Sequence, residues 1–338
     1  MSETISADIK QSDELLLEVN GLKKHFQAGK SFLKRRQPVC KAVDDVSFKI
    51  HKGKTLGLVG ESGCGKSTLG RCILRLIEPT EGEVLIEGED VVRMDSKRLK
   101  EMRQHMQIIF QDPFASLSPR MTIHDILREP LDTHNIGTVK EREAKIAEVM
   151  NIVGLRPQAL NRYPHEFSGG QRQRVGIARA LVLEPKLIVA DEPVSALDVS
   201  VQAQVLNLIA ELQETRGISF LFIAHDLAVV QHICDEVGVM YLGRMVERAP
   251  AEELYRNPKH PYTQALLSAI PVPDPTIKSS KIPLEGDVPS PLNPPSGCTF
   301  RTRCKHATER CSKEAPQTHN HQHAGYDHWV ACHLYENS

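Results

Sequence analysis

GESGCGKST, residues 60–68, follows an apolar run that includes Leu56, Leu58 and Val59, and it precedes LGRCILRLI, whose apolar residues recur at helical spacing. The stretch satisfies G-x-x-x-x-G-K-[ST] through Gly60, Gly65, Lys66 and Ser67, in the strand–loop–helix context this motif requires. Glycines let the loop turn its backbone N–H groups inward on phosphate oxygens, at the positive end of the helix that begins there. The nucleotide contacts expected on this loop are Gly60, Ser62, Gly63, Gly65, Lys66, Ser67 and Thr68. Lys66 can reach the β- and γ-phosphates, and the Ser67 hydroxyl can join a Mg²⁺ shell.

A phosphate loop alone does not separate a kinase from a GTPase or a transport ATPase. Working outward, KLIVADEP at 186–193 reads as an apolar strand ending in two carboxylates, Asp191 and Glu192. An aspartate there can hold the metal through water, and the adjacent glutamate can polarise an attacking water. Read alone, the pair also fits an exposed turn before Pro193. Between the two motifs, FSGGQRQRVGIARALVLEP at 167–185 opens a helix at Ser168, Gly169 and Gly170, with Arg172, Arg174 and Arg179 following. A helix start presents free N–H groups and a positive dipole, so this is a second candidate phosphate-binding end.

The run at 167–185 resembles the signature of ATP-binding cassette (ABC) ATPases. The remaining motifs of that family follow in order: Gln111 in IIFQDP, SALD at 195–198 and His225 in FIAHD. The resemblance implies an α/β P-loop NTPase fold with a RecA-like core sheet, an antiparallel β subdomain and a helical subdomain. It also implies ATP sandwiched between the phosphate loop of one cassette and the signature of another, arranged head to tail. Lys66, Ser67, Gln111, Asp191, Glu192 and His225 would then serve this chain's own ATP, with Glu192 as base, His225 on the γ-phosphate, and Ser67, Gln111 and Asp191 around Mg²⁺. Ser168, Gly169 and Gly170 would complete the partner's site. Phe26 in LKKHF stands where the family places an adenine-stacking aromatic, often tyrosine; an aromatic packed in a strand is the alternative. Phe167 replaces the leucine frequent before the signature, with bulk and apolarity kept.

Two segments, QDPFASLSPRMTIHDILREPL at 111–131 and TVKEREAKIAEVMNIVGL at 138–155, lie where the family inserts its helical subdomain. The second reads equally as a surface helix. The cassette is expected to span 1–255, and a second, smaller unit 256–338. Within the latter, NPKHPYTQALLSAIP and GDVPSPLNPPSGCTFRTRC resemble the C-terminal extension of ABC ATPases that energise oligopeptide and dipeptide importers, an extension shared with nickel, opine and antimicrobial-peptide systems.

Half of the eight cysteines fall in that tail, as Cys298, Cys304, Cys311 and Cys332, spaced C-x5-C-x6-C-x20-C. This differs from the paired C-x2-C of common zinc sites. Four thiolates suit a tetrahedral zinc or a [4Fe–4S] cluster, and buried reduced cysteines are a third reading. Proteins with this extension resemble cluster holders, so the cluster is the preferred expectation and Zn²⁺ the alternative. His319, His321, His323, His328 and His333 crowd the same region and could replace a thiolate, or form a polar loop. Cys40, Cys64, Cys72 and Cys234 are scattered and read as structural.

The chain has 338 residues, 40% hydrophobic and 25% charged with a formal net charge of −1, so nothing suggests a nucleic-acid partner. The polar, acidic start MSETISADIKQSDE lacks the features of a secretory signal, and no apolar run reaches the length of a membrane span. A cytosolic chain is expected, bound peripherally to the cytoplasmic face of the inner membrane. KSFLKRRQP at 30–38 is a local basic patch, read as a solvated loop in preference to a lipid site. The expected partners are a second cassette, a paralogue forming a heterodimer, with two transmembrane permease subunits and an extracytoplasmic peptide-binding protein. A soluble ABC ATPase acting on nucleic acid or ribosomes, or a regulatory ATPase, is the competing class. Cargo is not legible in this chain.

Overall fold

The structure, a computed structural model, describes residues 14–27, 39–270, 282–322 and 326–336. The acidic start at 1–13, the basic stretch at 30–38 and His323 lie outside the described residues. In chain order the described strands are β1 (Leu15–Gln27), β2 (Val39–His51), β3 (Thr55–Val59), β4 (Glu81–Ile86), β5 (Glu89–Asp90) and β6 (Met106–Ile109). They continue as β7 (Leu187–Asp191), β8 (Ser219–Ile223), β9 (Glu236–Tyr241), β10 (Arg244–Pro250), β11 (His319–Asn320) and β12 (Trp329–Val330).

The sequence DDVSFKIHKGKTLGLVG, which reads as one strand-like pattern, forms two strands in two sheets. Its first part alternates: Val46, Phe48 and Ile50 are buried, while Ser47, Lys49 and His51 face water. Alternation of this kind suits an antiparallel strand with one wet face, and β2 pairs antiparallel with β1. After a turn at Gly53, which has φ +70°, the second part is buried at every position of β3, as a parallel strand covered on both faces demands.

The smaller sheet has the order β2-β1-β4-β5, and the larger β11-β12-β10-β9-β3-β8-β7-β6. Within the larger sheet, β9, β3, β8, β7 and β6 are parallel neighbours. Alternate residues of β7 and β8 feed two separate cores. Ile188, Ala190, Phe220 and Phe222 point into the core shared with the helices, whereas Leu187, Val189, Leu221 and Ile223 point into the core shared with the smaller sheet. This double burial fixes the register, because a slip of one residue would exchange the two cores.

Helices Ile123–Thr133 and Val139–Ile152 form the expected helical insertion, each opened by a capping box, Thr122 with Asp125 and Thr138 with Glu141. The charged second helix is more than surface: Ile146, Val149 and Met150, at i, i+3 and i+4, are fully buried against the signature helix region. Residues of the tail join the larger sheet, since β12 pairs antiparallel with β10 and β11 with β12.

Candidate functional site

Parallel strands place all their carboxyl ends on one edge, and ligands of open α/β sheets bind at that edge. β3 ends in the phosphate loop, β6 in Gln111, β7 in Asp191 and Glu192, and β8 just before His225. Residues far apart in sequence thus meet because the strand order is β3-β8-β7-β6.

The loop holds its shape through three glycines with positive φ, Gly60 at 152°, Gly63 at 78° and Gly65 at 107°. A Cβ on Gly65 would lie 1.9 Å from the Ala42 carbonyl oxygen, and one on Gly60 would lie 2.2 Å from that of Met240. Both neighbours are backbone, so these positions need glycine for approach as well as conformation. The helix Lys66–Ile73 starts directly from the loop, and Lys66 is buried, its Nζ donating to the carbonyls of Gly60 at 2.7 Å and Glu61 at 3.0 Å.

Ser67 Oγ donates to Asp191 Oδ1 at 2.6 Å. Asp191 is 1% exposed, and its Oδ2 has no hydrogen-bond partner; the nearest cation is the Arg71 guanidinium at 3.6 Å. A buried carboxylate oxygen left open beside a serine hydroxyl is a donor set suited to a hard cation. Ser67 and Asp191 therefore fit Mg²⁺. Glu192 has φ +46°, a left-handed turn that a non-glycine residue adopts at a cost, and its N–H donates to the Ile223 carbonyl at 3.0 Å. That turn aims its carboxylate at Gln111 Nε2, 2.7 Å away, with His225 Nδ1 at 3.8 Å. Ser195 Oγ donates to the Glu192 carbonyl at 3.1 Å, so the SALD run touches the same turn.

Phe26 lies on β1 opposite Cys40, two residues before the Ala42 carbonyl that seats Gly65. Phe26 is 38% exposed, with Lys24 Nζ 4.9 Å from its ring centroid.

Ser168 caps the helix Gly169–Leu181 in a capping box with Gln171. Its hydrogen bonds stay within that first turn and do not reach the chain's own phosphate loop. Gly170 backs onto helix Val199–Arg216, where a Cβ would lie 2.3 Å from Val201 Cγ1. The basic early turns prove to be anchors. Arg172 is buried, donates to the Pro164 carbonyl at 2.6 Å and stacks 3.7 Å from the Phe114 ring. Arg174 donates to the carbonyl of Val153 and Arg179 to that of Ser116. Their side chains hold the signature helix to neighbouring segments of the helical insertion.

All four tail cysteines line one cavity of about 130 Å³, together with His260 and Phe300. They are free thiols. Burial pushes the thiols of Cys298 and Cys304 up, and that of Cys332 up to about 11, which keeps them protonated without a cation beside them. Among the described residues no group of three or more His, Cys, Asp or Glu side chains is close enough to hold a single metal ion. The histidines divide: His328 is fully buried with Nε2 2.7 Å from Glu247 Oε1, and His333 Nε2 lies 3.0 Å from the Glu314 carbonyl oxygen, so each has a protein partner.

Two features escape sequence reading. Arg303 in TFRTRC forms a two-pronged ion pair with Glu61 of the phosphate loop, and Glu247 of β10 is buried against residues from the tail. Two arginines, Arg301 and Arg303, stand in that segment, and nothing in the sequence says which meets the phosphate loop.

A phosphate loop, an acid pair and a glutamine converging on one sheet edge, with a capped signature helix apart from them, define the molecule as a nucleotide-hydrolysing cassette. The family described as ABC transporter matches residues 43–195, and that described as oligopeptide/dipeptide transporter, C-terminal region, matches residues 246–311. The oligopeptide transport ATP-binding protein AppF of Bacillus subtilis is 54% identical over 327 residues, covering 96% of this chain and 98% of its own. The oligopeptide transport ATP-binding protein OppF of Haemophilus influenzae is 54% identical over 329 residues, covering 96% and 98%. A dimeric ATP-binding cassette solved in a post-hydrolysis state with ADP and Pi shares 28% identity at a TM-score of 0.62, covering 70% of this chain and 99% of that one. The chain belongs to the ATP-binding proteins of the ABC transporter family, in the branch that carries the oligopeptide/dipeptide C-terminal region, and it is an ATPase. No described helix is long and apolar enough to cross a membrane.

Proposed function

We propose that this chain is the ATP-hydrolysing motor of a membrane importer of oligopeptides or dipeptides, seated on the cytoplasmic face of the inner membrane. The observation that carries the motor is the convergence of Ser67, Asp191, Gln111, Glu192 and His225 at neighbouring strand ends. The cargo class rests on the match of residues 246–311 and on the printed names of the relatives.

In this reading Gly60, Ser62, Gly63, Gly65 and Thr68 wrap the phosphates, Lys66 neutralises their charge and Phe26 stacks on the base. Mg²⁺, when bound by Ser67, Asp191 and Gln111, supplies further charge compensation to the phosphates. Glu192, fixed by its left-handed turn, accepts a proton from the attacking water, and Gln111 and His225 orient water and γ-phosphate. Ser168, Gly169 and Gly170 complete the site of a second cassette, expected to be a paralogue, so hydrolysis requires closure of the pair. Two permease subunits and an extracytoplasmic peptide-binding protein complete the assembly, and no nucleic acid takes part. The working division is a cassette at 1–255 and an extension at 256–338.

Replacing Glu192 with Gln in the assembled importer is expected to abolish ATP turnover and peptide uptake while MgATP binding persists. Undiminished turnover in E192Q would refute the base assignment.

For the tail we propose a [4Fe–4S] cluster on Cys298, Cys304, Cys311 and Cys332. Support comes from four thiols lining one small cavity and from the resemblance of this extension to that of cluster-holding proteins. The bound centre would act as a cross-link in a unit with little core of its own. Anaerobically purified protein is expected to be brown and to contain iron and sulfide; a colourless preparation with stoichiometric zinc would sink this assignment and leave the motor untouched.

A further inference from the structure

Glu61, a variable position of the phosphate loop, is held from three sides. Its carbonyl accepts from Lys66 Nζ at 3.0 Å. Its backbone N–H donates to the Tyr262 hydroxyl at 2.9 Å. Its carboxylate accepts from Arg303, Nη1 to Oε2 at 2.6 Å and Nη2 to Oε1 at 3.0 Å. Tyr262 and Arg303 both lie beyond the cassette, in the segment whose role is otherwise assigned to cargo class and to the cysteines.

These two groups are rigidly mounted. Tyr262 is fully buried, and its ring packs on Tyr241 at 4.8 Å and Phe300 at 5.3 Å between centroids. Tyr241 ends β9, the strand beside β3, and meets Phe300 edge-on at 5.2 Å. The Arg303 side chain is 6% exposed, with its guanidinium 6.0 Å from the Tyr241 ring. The hydroxyl and the fork are thus set on a packed aromatic cluster, and both grip a glycine-rich loop to which Lys66 Nζ also donates, at the Gly60 and Glu61 carbonyls. A bidentate arginine on a carboxylate fixes orientation as well as distance, and a desolvated one resists exchange with water.

We propose that the C-terminal extension acts in cis on ATP binding: Tyr262 and Arg303 are positioning residues that clamp the phosphate loop at Glu61 in its binding conformation. An untethered glycine loop must lose its conformational freedom when phosphate arrives, and that loss weakens affinity. The clamp removes this loss beforehand. Gln111, Glu192 and His225, which act on the attacking water and the γ-phosphate, hang from other strands, and Lys66 reaches the loop through the Glu61 backbone carbonyl and not its clamped carboxylate, so the clamp acts on binding before the hydrolytic step. The inference rests on the reading of residues 60–68 as the nucleotide loop.

The test measures MgATP affinity of the full chain by equilibrium binding, with thermal unfolding without nucleotide as the structural control. Tyr262→Phe removes the hydroxyl and keeps the ring, and Arg303→Lys keeps charge without the fork. Each is expected to raise Kd for MgATP by about threefold to tenfold with little change in the unfolding midpoint. In the assembled importer KM for ATP rises with kcat retained. Glu61→Gln combined with Arg303→Lys is expected to bind no more weakly than the weaker of its two single variants, since both act through one contact. Affinities within twofold of the parent for both Tyr262→Phe and Arg303→Lys would overturn the clamp, as would a lowered midpoint with unchanged Kd. Failure of the parent itself to bind ATP would overturn the loop reading, and the clamp with it.

Discussion

Gly57 occupies the middle of β3, where a Cβ would lie 2.1 Å from Val230 Cγ1 and 2.8 Å from Cys234 Sγ. Its φ is ordinary for a strand, so the constraint is space alone. Gly57→Ala must push Val230 or its helix away from the sheet, and overpacking of this kind costs about 1–3 kcal/mol. The midpoint of urea unfolding is expected to fall accordingly, and an unchanged midpoint would show that the 227–234 segment yields freely. At the same scale lies the distinction between the glycines: Gly60 and Gly65 meet backbone carbonyls, which cannot rotate away, whereas Gly63 meets nothing within 4 Å and is held only by its φ of +78°. The motif fixes Gly60 and Gly65 and leaves Gly63 at a variable position, in keeping with this difference. Gly60 faces β9 and Gly65 faces β2, whereas Gly63 faces open space.

Among the elements, the helix Pro261–Ser268 carries Tyr262 and is capped by His260, whose Nδ1 accepts from the Tyr262 N–H at 3.1 Å. That cap requires an unprotonated Nδ1. Burial pushes the His260 imidazole down from 6.5 to about 4, opposed in part by the Glu247 carboxylate, which also accepts the His260 backbone N–H at 3.0 Å. The ionisable groups packed around it include His328, on Glu247, Glu253, 3.9 Å from His328 Nδ1, and Cys298, Cys304, Cys311, Cys332 and His333, which line the same cavity as His260. Because the folded pKa lies below the unfolded one, the stability tied to this group is intact above pH 6.5. It is lost as pH falls towards 4, at about 1.4 kcal/mol per pH unit, because only the unfolded chain gains the proton. His260→Asn keeps a capping oxygen and cannot titrate. Its thermal midpoint is expected to drop less between pH 7 and 5 than that of the parent; equal slopes would assign the pH dependence to other groups.

On the scale of the whole molecule, the tail closes a sheet edge. β10 would present unpaired backbone groups, but β12 pairs with it at Glu247↔Val330 and Arg248↔Trp329, and Phe300 covers Tyr241 and Tyr262. Exposed strand edges beside apolar surface promote association. A chain ended at residue 270 is therefore expected to aggregate or oligomerise in size-exclusion chromatography, although its motifs are complete. A monodisperse monomer would show that the extension is dispensable for the cassette's integrity.

The phosphate loop, the acid pair at the end of β7 and the helix opened at Ser168 were legible because each is encoded in a few contiguous residues: glycines where the backbone must bend, apolar runs where strands are buried, a polar cap before a helix; Gln111 was placed by the family resemblance alone. The same local grammar grouped the four tail cysteines but could not say that they share one cavity. It could not place the arginines of the signature helix, whose partners are carbonyls at Val153, Pro164 and Ser116 on a different part of the fold. Nor could it join Arg303 to Glu61 across 242 positions, or bury Glu247 against His328 across 81. By itself, then, the sequence determined which chemistry the chain carries and which segments bear it. Only the tertiary structure decided which side chains meet, because strand order and chain reversal, not spacing along the chain, bring a tail arginine onto the phosphate loop.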